Sequence, residues 1–358
     1  MASDPLSPPL LKALVGDDAV AALFSSEAEL AAMLRVEAAL AQAEAELGII
    51  DEDAAFQIVE ACSRFDPDWG ALARGLAQDG VVVPELVRQL RRAVGEPHDR
   101  AVHLGATSQD IVDTGLILRL KDLAALLVGR IATLIESLRL LKTRDGAVPL
   151  MAHTRMQQAL PFTAADKLDT WIQPLERHTD TLREMLPRLL VLQLGGPIGN
   201  RETFHGHGDA LADALAERLG LGFASAWHSQ RDRIGEFAAW LSLVSGTLGK
   251  FGQDIALMAQ NEVGEVHLAS GGGSSAMPHK SNPVQAEVLV ALARFNAGLL
   301  GTLHQGLVHE NERSGTAWTL EWLVLPQMAE ATGAGLVKAQ ILAEGMQFVS
   351  SSMAGKGA

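Results

Sequence analysis

Residues 271–287 read GGGSSAMPHKSNPVQAE. A glycine-rich run leading to a lysine first suggests a phosphate cradle. A P-loop requires glycine directly before its Lys-Ser pair, however, and His279 stands there instead. No strand-like run precedes the segment, so a dinucleotide fingerprint does not fit either. A plain linker has no use for Met277, Pro278, Lys280 and Asn282 in fixed order. What remains is a lid. Glycines give hinge freedom, backbone N–H groups and Lys280 hold an anion, and a serine approaches a substrate carbon. Pro283 suits the first turn of a following helix, whose N-terminus adds positive potential. Such a set fits proton transfer beside a carboxylate, where the enolate-like dianion needs donors and a cation around it.

Other chemistry-bearing groups are fewer. Thr107, Ser108 and Gln109 fall at a predicted helix N-terminus, a ready anion site. His205-Gly206-His207 lacks further ligands at helical spacing and reads as a turn rather than a metal site. Trp318 and Trp322 read as core or pocket wall. Cys62, the single cysteine, sits in an amphipathic stretch and reads as packing. One cysteine allows no intrachain disulfide, which fits a reducing cytoplasm. No cofactor motif is present.

The elements that must position these groups are helices. Ser26 followed by Glu29 reads as a capping box, and Gly48 closes that helix. Pro84 and Gly95 bracket another. From Ser108 to about Lys142 there is no proline, and Ile111, Leu118, Leu127, Leu134 and Leu141 keep a helical period. Residues 229–262, 283–308 and 316–345 are also long and periodic. Rods of that length must bury their stripes against one another, so the fold is expected to be all-α, a long-helix bundle. Alternating strand patterns are nearly absent. Breaks fall at 143–154, at 193–209 and at the glycine-rich segment. A boundary near 105 divides an N-terminal helical domain (1–105) from a long-helix domain (106–358). With 48% apolar residues the chain has material for a large core. A formal net charge of −14 argues against a general binder of nucleic acid or anionic membrane. No signal peptide and no uncharged apolar run of about 20 residues is found.

The stretch GSSAMPHKSNP resembles the signature loop of the fumarase/aspartase superfamily. HLGATSQDIVDTG (103–115) is similar to its first block and TRMQQALPFTAADKL (154–168) to its second. The resemblance covers essentially the whole chain. It implies a homotetramer around a twenty-helix core, with each active site shared between subunits, and a small polycarboxylate substrate. WHSQRDRIGEF (227–237) and HENERSGTAWTLEWLVLP (309–326) resemble the branch that lactonises 3-carboxy-cis,cis-muconate. The branches that cleave succinyl groups commonly carry arginine at the position of Trp322 and glutamine at that of Trp227.

The resemblance assigns roles residue by residue. Ser274 matches the acid/base serine, with Ser275 and Met277 beside it on the substrate loop. Lys280 and Asn282 match the residues that hold the substrate carboxylate. His103, Thr107, Ser108, Gln109, Gln157 and Arg313 match substrate-binding positions, with Trp227 in support. His103 is either a substrate ligand or a hydrogen-bonding wall, and Arg313 either a ligand or an interface ion pair. The chain departs from the pattern at Arg155, where many members carry a histidine paired with a glutamate that matches Glu287. Arginine keeps its proton at any working pH and cannot relay one. Arg155 can bind a carboxylate or pair with Glu287, and His153 is a candidate substitute base. A cycloisomerase tolerates the change, because its nucleophile and leaving group are carboxylates. The chain also stops near the end of the last long helix, so the usual small C-terminal domain is expected to be absent. Two alternatives stay open: an adenylosuccinate-like lyase, and a non-enzymatic structural homologue of the kind found in lens.

Overall fold

The computed structural model describes residues 9–269, 271–273, 277 and 281–350. Among them are twelve α-helices and four short strands. The first six helices are α1 (Pro9–Val15), α2 (Asp18–Leu23), α3 (Ser26–Glu46), α4 (Glu52–Ser63), α5 (Trp69–Asp79) and α6 (Val83–Val94). The cap of α3 is Ser25 rather than the expected Ser26. Ser25 takes the extended conformation, and its Oγ accepts from the Ala28 N–H at 3.1 Å. Of two tandem serines, the one whose backbone leaves the helix does the capping. Gly48 and Gly95 stand past their helix ends at φ +69° and +76°, which is why glycine is there.

Five long rods follow: α7 (Ser108–Asp145), α8 (Ala164–Leu189), α10 (Asp232–Met258), α11 (Val284–Gln305) and α12 (Gly315–Gly345), with the shorter α9 (Gly208–Leu219) inserted. α7, α10 and α12 run in one direction, and α8 and α11 run against them. The start of α10 meets the start of α7 through Arg231 and Asp113, while the end of α12 meets the end of α7, where Arg144 donates to the Met346 carbonyl at 2.8 Å. Their shared core runs from Ile117 and Leu127 through Trp171 and Trp240 to Met328. A second core joins α3 to α6 with α9, around Met33, Leu40, Leu86 and Leu215. By length and composition α11 would suffice to cross a membrane, yet only 33% of its apolar window is buried in the chain.

The near-absence of strands expected from sequence needs correction. β1 (Pro149–Thr154) and β2 (Gln157–Thr163) form an antiparallel hairpin, and β3 (Val266–Leu268) pairs with β4 (Met346–Phe348). The first hairpin turns on Arg155 and Met156, both left-handed at φ +48° and +67°. That is the two-residue geometry matched to strand twist, but without the Asn-Gly residues that usually announce it. Most of the hairpin is exposed on both faces, so no alternation marked it either.

Candidate active site

The N-terminus of α7 carries the densest polar construction. Thr107 caps it, its N–H donating to Asp110 Oδ2 at 3.0 Å. Asp110 is buried and also accepts from the Gly195 and Gly196 N–H groups (2.8 and 2.9 Å) and pairs with His228 Nε2 at 3.0 Å. This ties the 193–199 turn to the helix start. Arg313, on the loop before α12, lies across the same end. Its Nε donates to Gln109 Oε1 at 3.0 Å, Nη1 to Thr107 Oγ1 at 3.3 Å, and Nη2 to the Pro197 carbonyl at 3.1 Å. Gln109 is fully buried and in turn donates to Asp113 Oδ2 and the His228 carbonyl. A guanidinium fixed beside open helix N–H groups is a site for an anion. Ser108 is the first residue of this helix.

Beneath lies an ion triad. Arg231, at 0% exposure, donates to Asp113 at 2.6 and 3.1 Å and to Glu321 at 2.8 and 2.6 Å. Burial would lower the pKa of this guanidinium, but the two carboxylates reverse that and hold its proton firmly. Burial raises Glu321 above the usual carboxylate range, with Arg231 opposing. Trp318 Nε1 completes Asp113 at 3.1 Å. The triad sets Asp113, Asp113 sets Gln109, and Gln109 sets Arg313.

His103 adds a second polar group at this end. Its Nδ1 lies 2.6 Å from Glu37 Oε1, on a carboxylate that is 1% exposed. Burial pulls the imidazole pKa down, but the Glu37 charge and hydrogen bond more than offset it, and the net direction is up. The His103 backbone is left-handed at φ +61°, a conformation that non-glycine residues rarely hold. Nearby His309 keeps both ring nitrogens buried without a hydrogen-bond partner, and burial and then Arg231 lower its pKa.

The sequence candidates His153, Arg155, Gln157, Asn282 and Glu287 lie at the other end of the rods. α7 has 38 residues, so its two ends stand about 57 Å apart at 1.5 Å per residue. His153, Arg155 and Gln157 lie exposed on the β1–β2 hairpin. Its base is held there by Glu265, whose Oε1 accepts from the Met151 N–H at 2.9 Å. Glu287 is exposed in the first turn of α11 at that same end. Among the described residues no ion pair joins Arg155 to Glu287. Ser274, Ser275 and Lys280 lie outside the described residues. Met277 is described and part-exposed. Asn282 closes the neck of this loop, exchanging N–H···O bonds of 2.8 and 2.9 Å with Gly272. The hinge reading of the glycines needs correction at two of them. A Cβ on Gly271 would stand 1.6 Å from Ser281 Oγ, and one on Gly272 2.5 Å from a Val284 methyl. These glycines permit close approach of the two loop strands; only Gly273 faces open space.

Trp227 is fully buried, its Nε1 donates to the Leu192 carbonyl at 3.0 Å, and Arg231 and Arg233 lie on its ring at 4.9 and 4.8 Å. It supports the site from within the core. The His205-Gly206-His207 segment forms a turn, with His205 and Gly206 at positive φ.

Known proteins resemble this chain in sequence and in fold. Residues 14–295 match the family model described as lyase. The chain belongs to this lyase family, within the fumarase/aspartase superfamily. It is 43% identical over 339 residues to a 3-carboxy-cis,cis-muconate cycloisomerase of Pseudomonas aeruginosa, covering 93% of this chain and 74% of the relative. The crystal structure of 3-carboxy-cis,cis-muconate lactonizing enzyme from Pseudomonas putida superposes with a TM-score of 0.89 at 42% identity, covering 95% and 77%. An N-acetyl-S-(2-succino)cysteine lyase of Enterococcus italicus is more distant, at 34% identity over 93% of this chain and 74% of the relative. Family members of this kind act on small polycarboxylates and are typically oligomeric.

Sequence reasoning missed Glu37, Asp110, Asp113, Arg231 and His309. Asp110 and Asp113 lie inside the quoted first block, where a buried aspartate at i and i+3 of an apolar helix was the available signal. Glu37 had none, because its partner His103 is 66 residues away.

Proposed function

We propose that this chain is a cycloisomerase that converts 3-carboxy-cis,cis-muconate to its carboxymuconolactone. A substrate carboxylate oxygen bonds to one alkene carbon. The π electrons move onto the neighbouring carbon, alpha to another carboxylate, and a proton from the acid closes the sequence there; the trianion becomes the lactone dianion with uptake of one proton, which solvent returns to the acid. Such a reaction needs cations for three carboxylates and one acid. The observation that carries the reading is Arg313 locked by Gln109, Thr107 and Pro197 over the N-terminus of α7, with His103 held on buried Glu37 at the same end. Ser274 is the proton donor in this proposal. Lys280 and Asn282 hold the carboxylate alpha to the protonated carbon, since a serine alkoxide is tolerable only beside donors and a cation. Ser275, Met277, Ser108 and Gln157 line the substrate. Arg155 binds a carboxylate and relays no proton.

We also propose that the site is shared between copies of a homotetramer. The groups on α7 and the groups on the hairpin and loop stand at opposite ends of the same rods, so a neighbouring antiparallel copy must bring them together. The apolar, half-covered face of α11, with Phe295 at 47% exposure, supports the same reading. Residues 1–105 then form the outer domain and 106–358 the bundle, in a cytoplasmic protein. The test of activity is the loss of ultraviolet absorbance as the conjugated diene of 3-carboxymuconate is consumed. Turnover of adenylosuccinate in its place would sink the proposal.

A further inference from the structure

A cavity of about 360 Å³ lies between α3, α5, α7, α12 and the segment entering α6. It shares no lining residue with His103, Thr107, Ser108, Gln109 or Arg313. Helix α3 crosses α7 at Gly115, where an added Cβ would sit 3.5 Å from the Met33 backbone nitrogen. The cavity lies mostly beyond that crossing. Arg119, on its wall, is eleven residues along α7 from Ser108, about 16 Å. Met33, Leu72, Trp322 and Leu325 make the walls apolar, and half-exposed Trp69 and Leu76 form the rim. Its size falls within the range of small-molecule sites.

Arg119 is the unusual group. Its side chain is only 11% exposed, and its Nε is buried without a hydrogen-bond partner. The ion pair it makes, with Glu29, is loose: 3.9 Å, to a carboxylate that is itself 39% exposed. Burial lowers its pKa, with Glu29 offsetting only in part. A buried guanidinium with a spare donor, beside apolar rings, fits a carboxylate carried on an apolar body. The two acids on the walls, Glu29 and Glu321, set the limit. A second carboxylate on the ligand would face them or face hydrocarbon.

We infer that this cavity binds an apolar monocarboxylate, its carboxylate on Arg119 and its body against Trp322 and Leu72. It is a site separate from the polycarboxylate site at the α7 N-terminus, and it does not depend on the proposed reaction. The probes are 2-naphthoate, its neutral amide 2-naphthamide, and 2,6-naphthalenedicarboxylate, titrated calorimetrically into the intact protein. Naphthoate should bind at least tenfold more tightly than the amide or the dicarboxylate. In Arg119→Met, which keeps the apolar stem, the preference of acid over amide should vanish while turnover stays unchanged. In Arg313→Met naphthoate binding should persist. Should Arg119→Met not fold, Ala73→Phe at the rim takes its place and should block both ligands. Three results overturn the proposal: no naphthoate binding to the wild type, an unchanged acid preference in Arg119→Met, or loss of naphthoate binding in Arg313→Met, which would put the acid in the carboxylate site.

Discussion

Removing Arg231 tests whether the buried triad holds the α7 end together. In Arg231→Met the stem is replaced and the charge is lost. Four hydrogen bonds disappear, and Asp113 and Glu321 are left facing each other in the core at 0% and 3% exposure. Breaking a buried pair from one side costs about 3–5 kcal/mol, because the remaining charge is uncompensated. Two carboxylates share this arginine, so the upper part of that range is expected. The pH dependence follows from Glu321. Burial already raises its pKa in the folded state, and the variant removes the arginine that opposes the rise. The folded variant therefore takes up a proton at higher pH than the unfolded chain does. Its stability is regained as pH falls from 8 toward 5 and lost as pH rises through the folded pKa. Urea midpoints of wild type and variant, at one fixed protein concentration, measure this at pH 8 and pH 5. The gap should be wide at pH 8 and narrower at pH 5. A loss below about 1 kcal/mol, the size of an exposed ion pair, would refute the triad as the support of the site.

Other expectations concern the site itself. Ser274→Ala should lower turnover by at least about 10²-fold, the scale of a lost general acid, with unchanged folding; near-normal turnover would remove serine as the donor. Gly271→Ala should impair turnover while Gly273→Ala is tolerated, since only the first added Cβ collides, with Ser281; equal effects would refute the neck geometry. In Glu37→Gln the high-pH limb of kcat/KM should move to lower pH, because Glu37 is what raises the His103 pKa; a limb that stays put would mean that His103 acts uncharged. Arg313→Lys should raise KM and lower kcat together, since lysine cannot make the fork to Gln109, Thr107 and Pro197; wild-type kinetics would take Arg313 out of the site.

Much of the fold was legible in the sequence. The long apolar periods of α7, α10, α11 and α12 gave their extents to within a few residues, because a rod buried along its length must repeat every 3.6 residues. Hairpin β1–β2 was not legible, since its turn uses Arg155 and Met156 and neither of its faces is wholly buried. Arg313 and Gln109 could be named from the resemblance, but their mutual bond could not, with 204 residues between them. Glu37 and Arg231 were invisible for the same reason. A buried charge in an apolar helix announces a partner without saying which one. The glycines at 271–273 show the opposite limit. Their number suggested mobility, whereas Gly271 and Gly272 answer a steric demand set by residues ten and twelve positions on.

The central claim is that opposite ends of the rods, from different copies, complete one site. Two inactive proteins test it: Arg313→Ala, altered at the α7 end, and Ser274→Ala, altered at the loop end. Unfolded together and refolded as mixed oligomers, they should recover diene turnover at about a quarter of the sites, the share that receives both ends intact by random assembly. Refolded separately, neither should recover. Mixed oligomers that form and stay inactive, or a native protein that is active as a monomer in sedimentation, would contradict the account.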